Sequence, residues 1–318
     1  MDCYESELKK AMALFKYESF QTAFFESSNY EKLVDIMFCD FSANVNEIKF
    51  DDCNEEEILK CGEYIIKKHM KNIDLTVPCI FNDDDLSMEL FARFGFDFPL
   101  AMYDQVIEYI KEKSELVKVT DIPLTIINKA KRNGYVVNYS FYENADLDES
   151  FFEKIPICAT GIFIFGPSDD MAKTIYAHEM THALLNKNKG NILNFMHGEV
   201  LPIFMEKVAA LDLDNADDLL FFVNYQRLLS LRKNIITMLL EGDNIIDKMY
   251  IISSLMSASL FDVYENSSLN SKEEIDKSIN QVLMGNLRLE DIFDKYEINL
   301  EEGTNVIAKQ VKKLNLKI

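Results

Sequence analysis

The sequence predicts a mainly helical protein that contains one small β-sheet. Glycine (10) and proline (6) are scarce in its 318 residues, and tryptophan is absent. Most of the chain carries apolar residues three and four positions apart, which is the spacing of an amphipathic helix. Runs that are typical of strands occur only between about residues 120 and 165. Helices are therefore expected on both sides of a short β-rich segment.

Five helices are predicted before the β-rich segment and six after it. Polar stretches at residues 51–54 and 82–85 interrupt the first group. Two runs of β-branched and aromatic residues then predict the strands. The predicted helices are Leu8–Phe25, Tyr30–Phe41, Glu55–Lys71, Leu86–Phe94, Leu100–Val117, Ser168–Asn188, Glu199–Leu211, Ala216–Leu240, Ile245–Tyr264, Lys272–Met284 and Gly303–Leu314, and the predicted strands are Tyr135–Tyr142 and Ile157–Phe165.

The charge balance limits the classes of partner. The formal net charge is −21, and nucleic acid is bound mainly through Lys and Arg, so nucleic acid is not an expected partner. No apolar run reaches the ~18 residues that a membrane span needs, and the N-terminus lacks the basic and apolar segments of a secretory signal. The six cysteines are scattered without a CxxC pair. We therefore expect reduced thiols and a soluble, cytoplasmic protein without a membrane partner.

An HExxH motif at residues 178–182 is the most specific signal in the chain, and it is typical of zinc-dependent peptidases. On a helix, His178 and His182 lie one turn apart on the same face, so their imidazoles can bind one Zn²⁺. Glu179 lies about 100° around the helix from His178, within reach of a water on the metal. Residues 175–185 are apolar nearly all round, which predicts that the helix is buried.

A zinc site also needs a third protein ligand, and two glutamates follow the motif. Glu199 and Glu206 are seven residues apart, so on a helix they lie on one face. We expect Glu199 to bind the metal and Glu206 to hydrogen-bond a ligand from behind; the spacing also allows the reverse assignment. His197 is a competing ligand, expected at the edge of the site.

Taken together, these residues resemble the thimet oligopeptidase and oligopeptidase F group of zinc metallopeptidases. That family carries HExGHxxH, and a second helix then supplies a glutamate ligand and another glutamate seven residues later. The likeness covers roughly residues 116–318 and includes Pro202 between the two glutamates. It implies a zincin-like helical peptidase domain with a small β-sheet next to the active-site helix. It also implies that residues 1–117 form a reduced N-terminal half-shell and residues 118–318 the peptidase domain.

The chain departs from that family at two places. Thr181 stands where the family usually has glycine, and residues 255–256 align with the Gly-Tyr element that supplies a transition-state hydroxyl. Tyr250, Tyr264 and Tyr225 are substitutes by location. Packing in the core is the alternative role for each of these tyrosines.

The expected activity is hydrolysis of a peptide bond in an oligopeptide or a specific precursor, with one Zn²⁺ per chain and Glu179 as the general base. The strand that contains Gly161, Ile162 and Phe163 is a candidate for pairing with an extended peptide substrate, and an ordinary buried strand is the alternative. Given the acidity of the chain, we expect a preference for neutral or positive peptides.

Two other classes of protein are compatible with the sequence. One is a catalytically impaired, zinc-binding interaction protein with a peptidase-like fold. The other is a helical scaffold in which the histidines are core residues without metal. The sequence leaves the oligomeric state open.

Overall fold

The computed structural model describes residues 22–39, 48, 50–79, 115–127, 135–138, 159–165, 170–186, 197–242 and 245–316. These residues form a mainly helical protein with one small sheet, as the sequence predicts. The helices are α1 (Ser28–Phe38), α2 (Glu55–His69), α3 (Asp170–Asn186), α4 (Val200–Leu211), α5 (Ala216–Glu241), α6 (Ile245–Glu265), α7 (Leu269–Leu283), α8 (Leu289–Tyr296) and α9 (Leu300–Leu316), and the strands are β1 (Thr76–Cys79), β2 (Glu115–Lys118), β3 (Leu124–Ile127), β4 (Tyr135–Asn138) and β5 (Ala159–Phe165).

Helix α2 begins where its sequence supplies a capping box. The Asn54 side chain accepts a hydrogen bond from the Glu57 backbone N–H at 3.1 Å, and the Glu57 carboxylate accepts one from the Asn54 N–H at 3.0 Å. These contacts satisfy two donors that the first turn leaves unpaired. The helix ends at His69 after two lysines, whose charges suit the negative end of the helix dipole.

The sheet places β5 in its interior. Strand β3 is parallel to β5, with Leu124 opposite Ile162, and β4 is antiparallel to β5, with Val136 opposite the same residue. Strand β1 is parallel to β5 through a pairing of Cys79 with Ala159, and β2 is antiparallel to β1. The first turns of α3 follow β5 along the chain, so the sheet lies directly before the helix that carries the HExxH motif.

Helices α3 and α4 lie at the centre of the core. The side chains from Tyr176 to Thr181 on α3 are buried, and so are all residues from Val200 to Ala210 on α4. Gly62 lets α2 approach α3 closely, because a Cβ at that position would overlap the Tyr176 ring. A helix that is apolar on all sides is expected in such a place, which confirms the prediction that the motif helix is buried.

Three of the five strands were not predicted from the sequence. Strands β1, β2 and β3 have only four residues each, which is too short for a period-of-two pattern to be distinct from a helical one. The helix predicted for Leu100–Val117 is wrong at its end, because residues 115–117 belong to β2. The remainder of that prediction lies outside the described residues, together with the helix Leu86–Phe94, most of Leu8–Phe25 and the second half of the strand Tyr135–Tyr142.

The C-terminal region adds one further correction. Helix α8 was not among the predicted helices, although Leu289 and Ile292 bury its apolar face. The division into domains at residues 117 and 118 stays a prediction; both residues lie in β2, whose partner β1 is joined to β5 in the same sheet. One apolar core also extends from Phe24 to Leu314.

Among the residues that the structure describes, no helix has both the length and the apolar character that crossing a membrane requires.

Candidate metal centre

The two motif histidines of α3 lie side by side in the core. Their Nε2 atoms are 3.2 Å apart, and their rings meet edge to face with centroids 4.8 Å apart. A ligand atom of Glu179 lies within 4.8 Å of a ligand atom of each histidine. The spacing of the motif on the helix therefore gives the arrangement that the sequence predicts, with both imidazoles on one face and the glutamate beside them.

Glu199 brings its carboxylate to the same point from the turn before α4. Its Oε2 lies 3.3 Å from His178 Nε2, and its Oε1 lies 3.3 Å from His182 Nε2. The residue is the N-cap of α4 and has helical dihedrals, and its carbonyl accepts the Ile203 N–H at 3.0 Å. Glu199 therefore extends the helical path of α4 by one residue at its N-terminus, which keeps its side chain on the same face as Glu206.

The distances among these three groups fit a single zinc ion. A tetrahedral zinc with bonds of ~2.0–2.1 Å has its ligand atoms about 3.3–3.4 Å apart. The two Nε2 atoms are 3.2 Å apart, and each lies 3.3 Å from a different oxygen of the Glu199 carboxylate, His178 from Oε2 and His182 from Oε1. The two imidazoles and this carboxylate are donor types that zinc takes, and they lie close enough together to meet at one ion.

A second glutamate and an arginine lie behind His178. Arg227 on α5 donates from Nε to Glu206 Oε2 at 2.8 Å, and its Nη2 contacts the same oxygen. Its Nη2 also lies 3.0 Å from His178 Nδ1, and Glu206 Oε2 lies 3.5 Å from that nitrogen. Glu206 thus lies on the Nδ1 side of the His178 ring, opposite the nitrogen that faces Glu199, and its hydrogen bond to a metal ligand stays a prediction.

We call these six side chains the His–Glu cluster: His178, Glu179, His182, Glu199, Glu206 and Arg227. With both imidazoles neutral, three carboxylates and one guanidinium leave two negative charges. All six side chains are buried or half-buried, where uncompensated charge is costly. A divalent cation between the imidazoles and Glu199 would neutralise this excess, so the charges as well as the distances fit zinc.

The ionisation of the cluster follows from burial and from its internal contacts. Burial tends to raise the pKa of Glu199, but the neighbouring His182 and His178 outweigh it and hold that pKa well below its usual value. Burial likewise opposes the charge of Glu206, and Arg227 outweighs it, so the pKa of Glu206 is lowered. Without metal, burial and Arg227 tend to lower the pKa of His178, and the two glutamates raise it to about 9. A positive charge is thus favoured at this place even when no metal is bound.

Arg227 is the residue of the cluster that the sequence did not reveal. It lies in the middle of a 26-residue helix that the sequence predicts as an ordinary amphipathic segment, and 45 residues separate it from His182. A buried arginine in an acidic chain would have pointed to a buried carboxylate partner. The sequence alone does not show that Arg227 is buried.

His197 comes two residues before Glu199 and contacts helix α8. Its Nδ1 is 3.3 Å from Glu290 Oε1 on α8, and its ring meets Phe293 at right angles with centroids 4.9 Å apart. These contacts turn its Nδ1 toward α8. Whether His197 lies at the edge of the site or binds the metal stays a prediction.

Of the tyrosines expected to replace the missing hydroxyl, Tyr264 makes its described contacts with His69 and Phe204. The hydroxyl of Tyr264 lies 3.4 Å from His69 Nδ1, and its ring packs against Phe204. These contacts favour the core role that was the alternative for Tyr264. Tyr250 is half-buried on α6, and its role stays a prediction.

Thr181 explains how the chain tolerates a larger residue at the position where the resembled family has glycine. Its side chain is buried, and its hydroxyl donates to the Ala177 carbonyl at 2.8 Å. The hydroxyl is satisfied within α3 itself. The substitution therefore leaves the two histidine side chains in place.

The strand proposed to bind substrate is occupied on both sides. Ile162 pairs with Leu124 of β3 and with Val136 of β4, and Phe163 pairs with a residue of each of these strands. A peptide cannot add to β5 at these positions, because the hydrogen-bonding groups of its backbone already face two strands. The prediction of substrate pairing is therefore wrong at Ile162 and Phe163, where β5 is the buried strand of the alternative interpretation, and it stays a prediction at Gly161.

Comparison with known proteins adds no further constraint. The chain matches no protein-family model, no curated protein and no solved structure. The resemblance to the oligopeptidase group therefore rests on the motif residues and their spacing.

Proposed function

We propose that this chain is a zinc-dependent peptidase of zincin-like architecture, similar to the thimet oligopeptidase and oligopeptidase F group. The observation that carries the proposal is the convergence of His178 Nε2 and His182 Nε2, 3.2 Å apart, on the Glu199 carboxylate, one of whose oxygens lies 3.3 Å from each. Two imidazoles and one carboxylate leave one tetrahedral position open, which is the composition of a catalytic zinc site. One zinc per chain is expected, held by these three residues.

Bound zinc would supply a Lewis acid and lower the pKa of water to about 7. Glu179 is buried next to the two ligand histidines. As the water oxygen attacks the scissile carbonyl carbon, a Glu179 carboxylate oxygen accepts a water proton. The same carboxyl then gives that proton to the leaving nitrogen as the C–N bond breaks, so the products are a carboxylic acid and an amine and the glutamate is regenerated.

The test combines metal analysis with peptide cleavage. Protein purified without chelator should contain close to one zinc per chain and cleave quenched fluorescent oligopeptides. Glu179→Gln should keep its zinc and lose activity by ~10²–10⁴-fold, which is the range for removal of a general base. His182→Ala should lose both zinc and activity. Glu301→Gln is the matched control, because Glu301 is an exposed glutamate on α9.

Two results would contradict the proposal. If Glu179→Gln cleaved at the wild-type rate, Glu179 would not be the base. If the wild-type protein contained no zinc and bound none when zinc was added, the metallopeptidase interpretation would fail, and the histidines would be core residues of a helical scaffold.

A second candidate function is a zinc-binding interaction protein without peptidase activity. It is favoured by residues 255–256, which are the buried pair Leu255 and Met256 where the resembled family has Gly-Tyr. The Tyr264 hydroxyl lies beside His69, which favours a core role for this tyrosine over replacement of that hydroxyl. Stoichiometric zinc without cleavage of any peptide in a mixed-sequence library would assign this second function.

A further inference from the structure

Arg227 has hydrogen-bond donors that the His–Glu cluster does not use. Its Nε and Nη2 donate to Glu206 Oε2, and Nη2 also lies 3.0 Å from His178 Nδ1, which accepts because a guanidinium only donates. Its Nη1 makes no hydrogen bond with any residue that the structure describes, and it is not among the enclosed side-chain atoms without a partner. Both N–H groups of Nη1 are therefore available to a ligand.

The guanidinium lies where solvent reaches the cluster. The side chain of Arg227 is 25% exposed, compared with 5% for Glu206 and 8% for His178. The proposed zinc ligands His182 and Glu199 are also accessible, with side chains that are 18% and 13% exposed. A molecule that approaches these ligands from solvent can therefore reach Arg227 as well.

One imidazole ring separates Arg227 from the proposed metal position. Nη2 contacts Nδ1 of His178, and Nε2 of the same ring faces Glu199 and His182. An extended peptide advances ~3.3–3.6 Å per residue, so a peptide whose scissile carbonyl lies beside Nε2 can bring a group one or two residues away to the guanidinium. Arg227 is thus placed to contact the substrate next to the scissile bond and not at the reacting atoms.

The charge balance around Arg227 admits one anion when zinc is bound. Glu179, Glu199 and Glu206 contribute three negative charges, and zinc together with Arg227 contributes three positive charges. Lys207 adds a buried cation, because burial lowers its pKa only to about 8 and it stays mainly protonated at pH 7. One positive charge is left over. A carboxylate is the anion that a peptide supplies and that a guanidinium binds with defined geometry.

We propose that Arg227 is a specificity-determining residue whose Nη1 binds a substrate carboxylate one or two residues from the scissile bond. That carboxylate is either the C-terminus of the peptide or an acidic side chain, since both present the same oxygens. The inference rests on the proposed zinc peptidase function, and it names peptides with a carboxylate near the scissile bond as the substrate class.

The test measures the binding of zinc-anchored probes to the zinc-loaded protein by calorimetry, without turnover. A thiol series extends toward the C-terminal side of the substrate: mercaptoacetyl-alanine and mercaptoacetyl-dialanine, each as the free acid and as the amide. A hydroxamate series extends toward the N-terminal side: acetyl-glutamyl-alanine hydroxamate and its glutamine analogue. The first series reports on a C-terminal carboxylate and the second on an acidic side chain. At ~0.15 M salt, exposed charges more than about 8 Å away are screened, so the comparison reports on local contacts.

In at least one series the carboxylate probe should bind ~10–100-fold more tightly than its amide, which is the usual value of a hydrogen bond to a charged group. Arg227→Lys should reduce this ratio, because an ammonium lacks the planar fork, and Arg227→Met should bring it to 1 or below. Lys233→Met is the matched control, because Lys233 is an exposed cation on the same helix, and it should leave the ratio unchanged.

A second pair of variants tests the inference even where Arg227→Met does not fold. Glu206→Gln combined with Arg227→Met leaves neither a buried carboxylate nor a guanidinium unpaired, and this double variant should bind acid and amide alike. Glu206→Gln alone keeps Arg227 and should keep the preference for the acid. Because the readout is a ratio of two affinities, a variant that merely holds zinc less well weakens both probes and leaves the ratio unchanged.

The failure of the inference is distinct from the failure of the proposed function. Wild-type protein that binds no zinc would refute both. Zinc-loaded wild-type protein that binds acids and amides equally in both series would overturn the role of Arg227 and leave the metal site intact. A preference for the acid that survives in the double variant would also overturn it, because the carboxylate would then be bound elsewhere.

Discussion

The pH dependence of stability should report on His69, which lies buried between two aspartates away from the His–Glu cluster. Its Nε2 is 2.7 Å from Asp212 Oδ2 at the end of α4, and its Nδ1 is 2.9 Å from Asp276 Oδ2 on α7. Lys68 also pairs with Asp212, and the Tyr264 hydroxyl lies 3.4 Å from Nδ1. Both ring nitrogens are donors only in the protonated imidazole, so the folded state favours the charged form.

The direction of the effect follows from the pKa of His69. Burial tends to lower that pKa, but the hydrogen bonds with Asp212 and Asp276 outweigh burial and raise it above its ordinary value. In the unfolded chain His69 titrates near a pKa of ~6.5. Its contribution to stability is therefore complete below about pH 6.5 and is lost as the pH rises through the higher pKa of the folded state. In that window the folded state binds one more proton, so the unfolding free energy falls by up to ~1.4 kcal/mol per pH unit.

The assay compares urea unfolding of the wild type and His69→Gln from pH 6 to pH 9.5 in the same zinc-free buffer. At pH 6 the variant should be less stable by about 3 kcal/mol, the low end of the range for breaking a buried ion pair, because Lys68 still compensates Asp212. The deficit should shrink as the pH rises. His178 and Lys207, with pKa values shifted to about 9 and about 8, titrate in the same range, and the difference between the two proteins removes their contribution.

Lys60→Met provides a control on the same helix, because Lys60 forms an exposed ion pair with Glu56 and its loss should leave the difference profile flat. Parallel stability profiles for the wild type and His69→Gln across the whole pH range would refute the reasoning, since they would mean that His69 titrates alike in the folded and unfolded states.

Two further outcomes are expected. Gly303→Ala should lower the unfolding free energy by about 1–2 kcal/mol. The added Cβ would lie 2.3 Å from the Leu255 carbonyl oxygen, and the cost of this overpacking exceeds the ~1 kcal/mol by which alanine is favoured over glycine in a helix. The midpoint of urea unfolding measures this, with exposed Glu302→Ala as the control, and unchanged stability would contradict the close packing of α9 on α6. If the net charge of −21 steers substrates, cleavage of a cationic peptide should exceed that of a matched acidic peptide at low salt, and the ratio should fall as salt rises; equal rates would leave the acidity as a matter of solubility.

Much of the helical framework was predictable because its signals are local. The capping box of Asn54 and Glu57 marks the start of α2, and the predicted helix of residues 216–240 differs from α5 by one residue at its end. Short strands were not predictable in this way. Strand β2 has an exposed pattern of charged and apolar residues that suits a helix end equally well, and its pairing with β1 depends on a segment more than 30 residues away.

In the site, too, features set by local spacing were predictable and features set by packing were not. The HExxH spacing fixes that His178 and His182 share a helix face, because 3.6 residues per turn place positions four apart above one another. The seven-residue spacing likewise brings Glu199 and Glu206 to one side of α4. Which glutamate faces Nε2 and which faces Nδ1 was left open by the spacing, and the packing of α4 against α3 decided it.

The sequence by itself determined that this chain is mainly helical, that one buried helix carries two histidines and a glutamate, and that a glutamate pair follows at the right spacing, since all of these depend on contacts within a few turns. Only the tertiary structure decided that Arg227 contacts Glu206 and His178, that the Tyr264 hydroxyl lies beside His69, and that β5 is paired on both sides at Ile162 and Phe163. Those relations join residues far apart in the chain. They depend on how helices and strands pack, and no local period in the sequence encodes that.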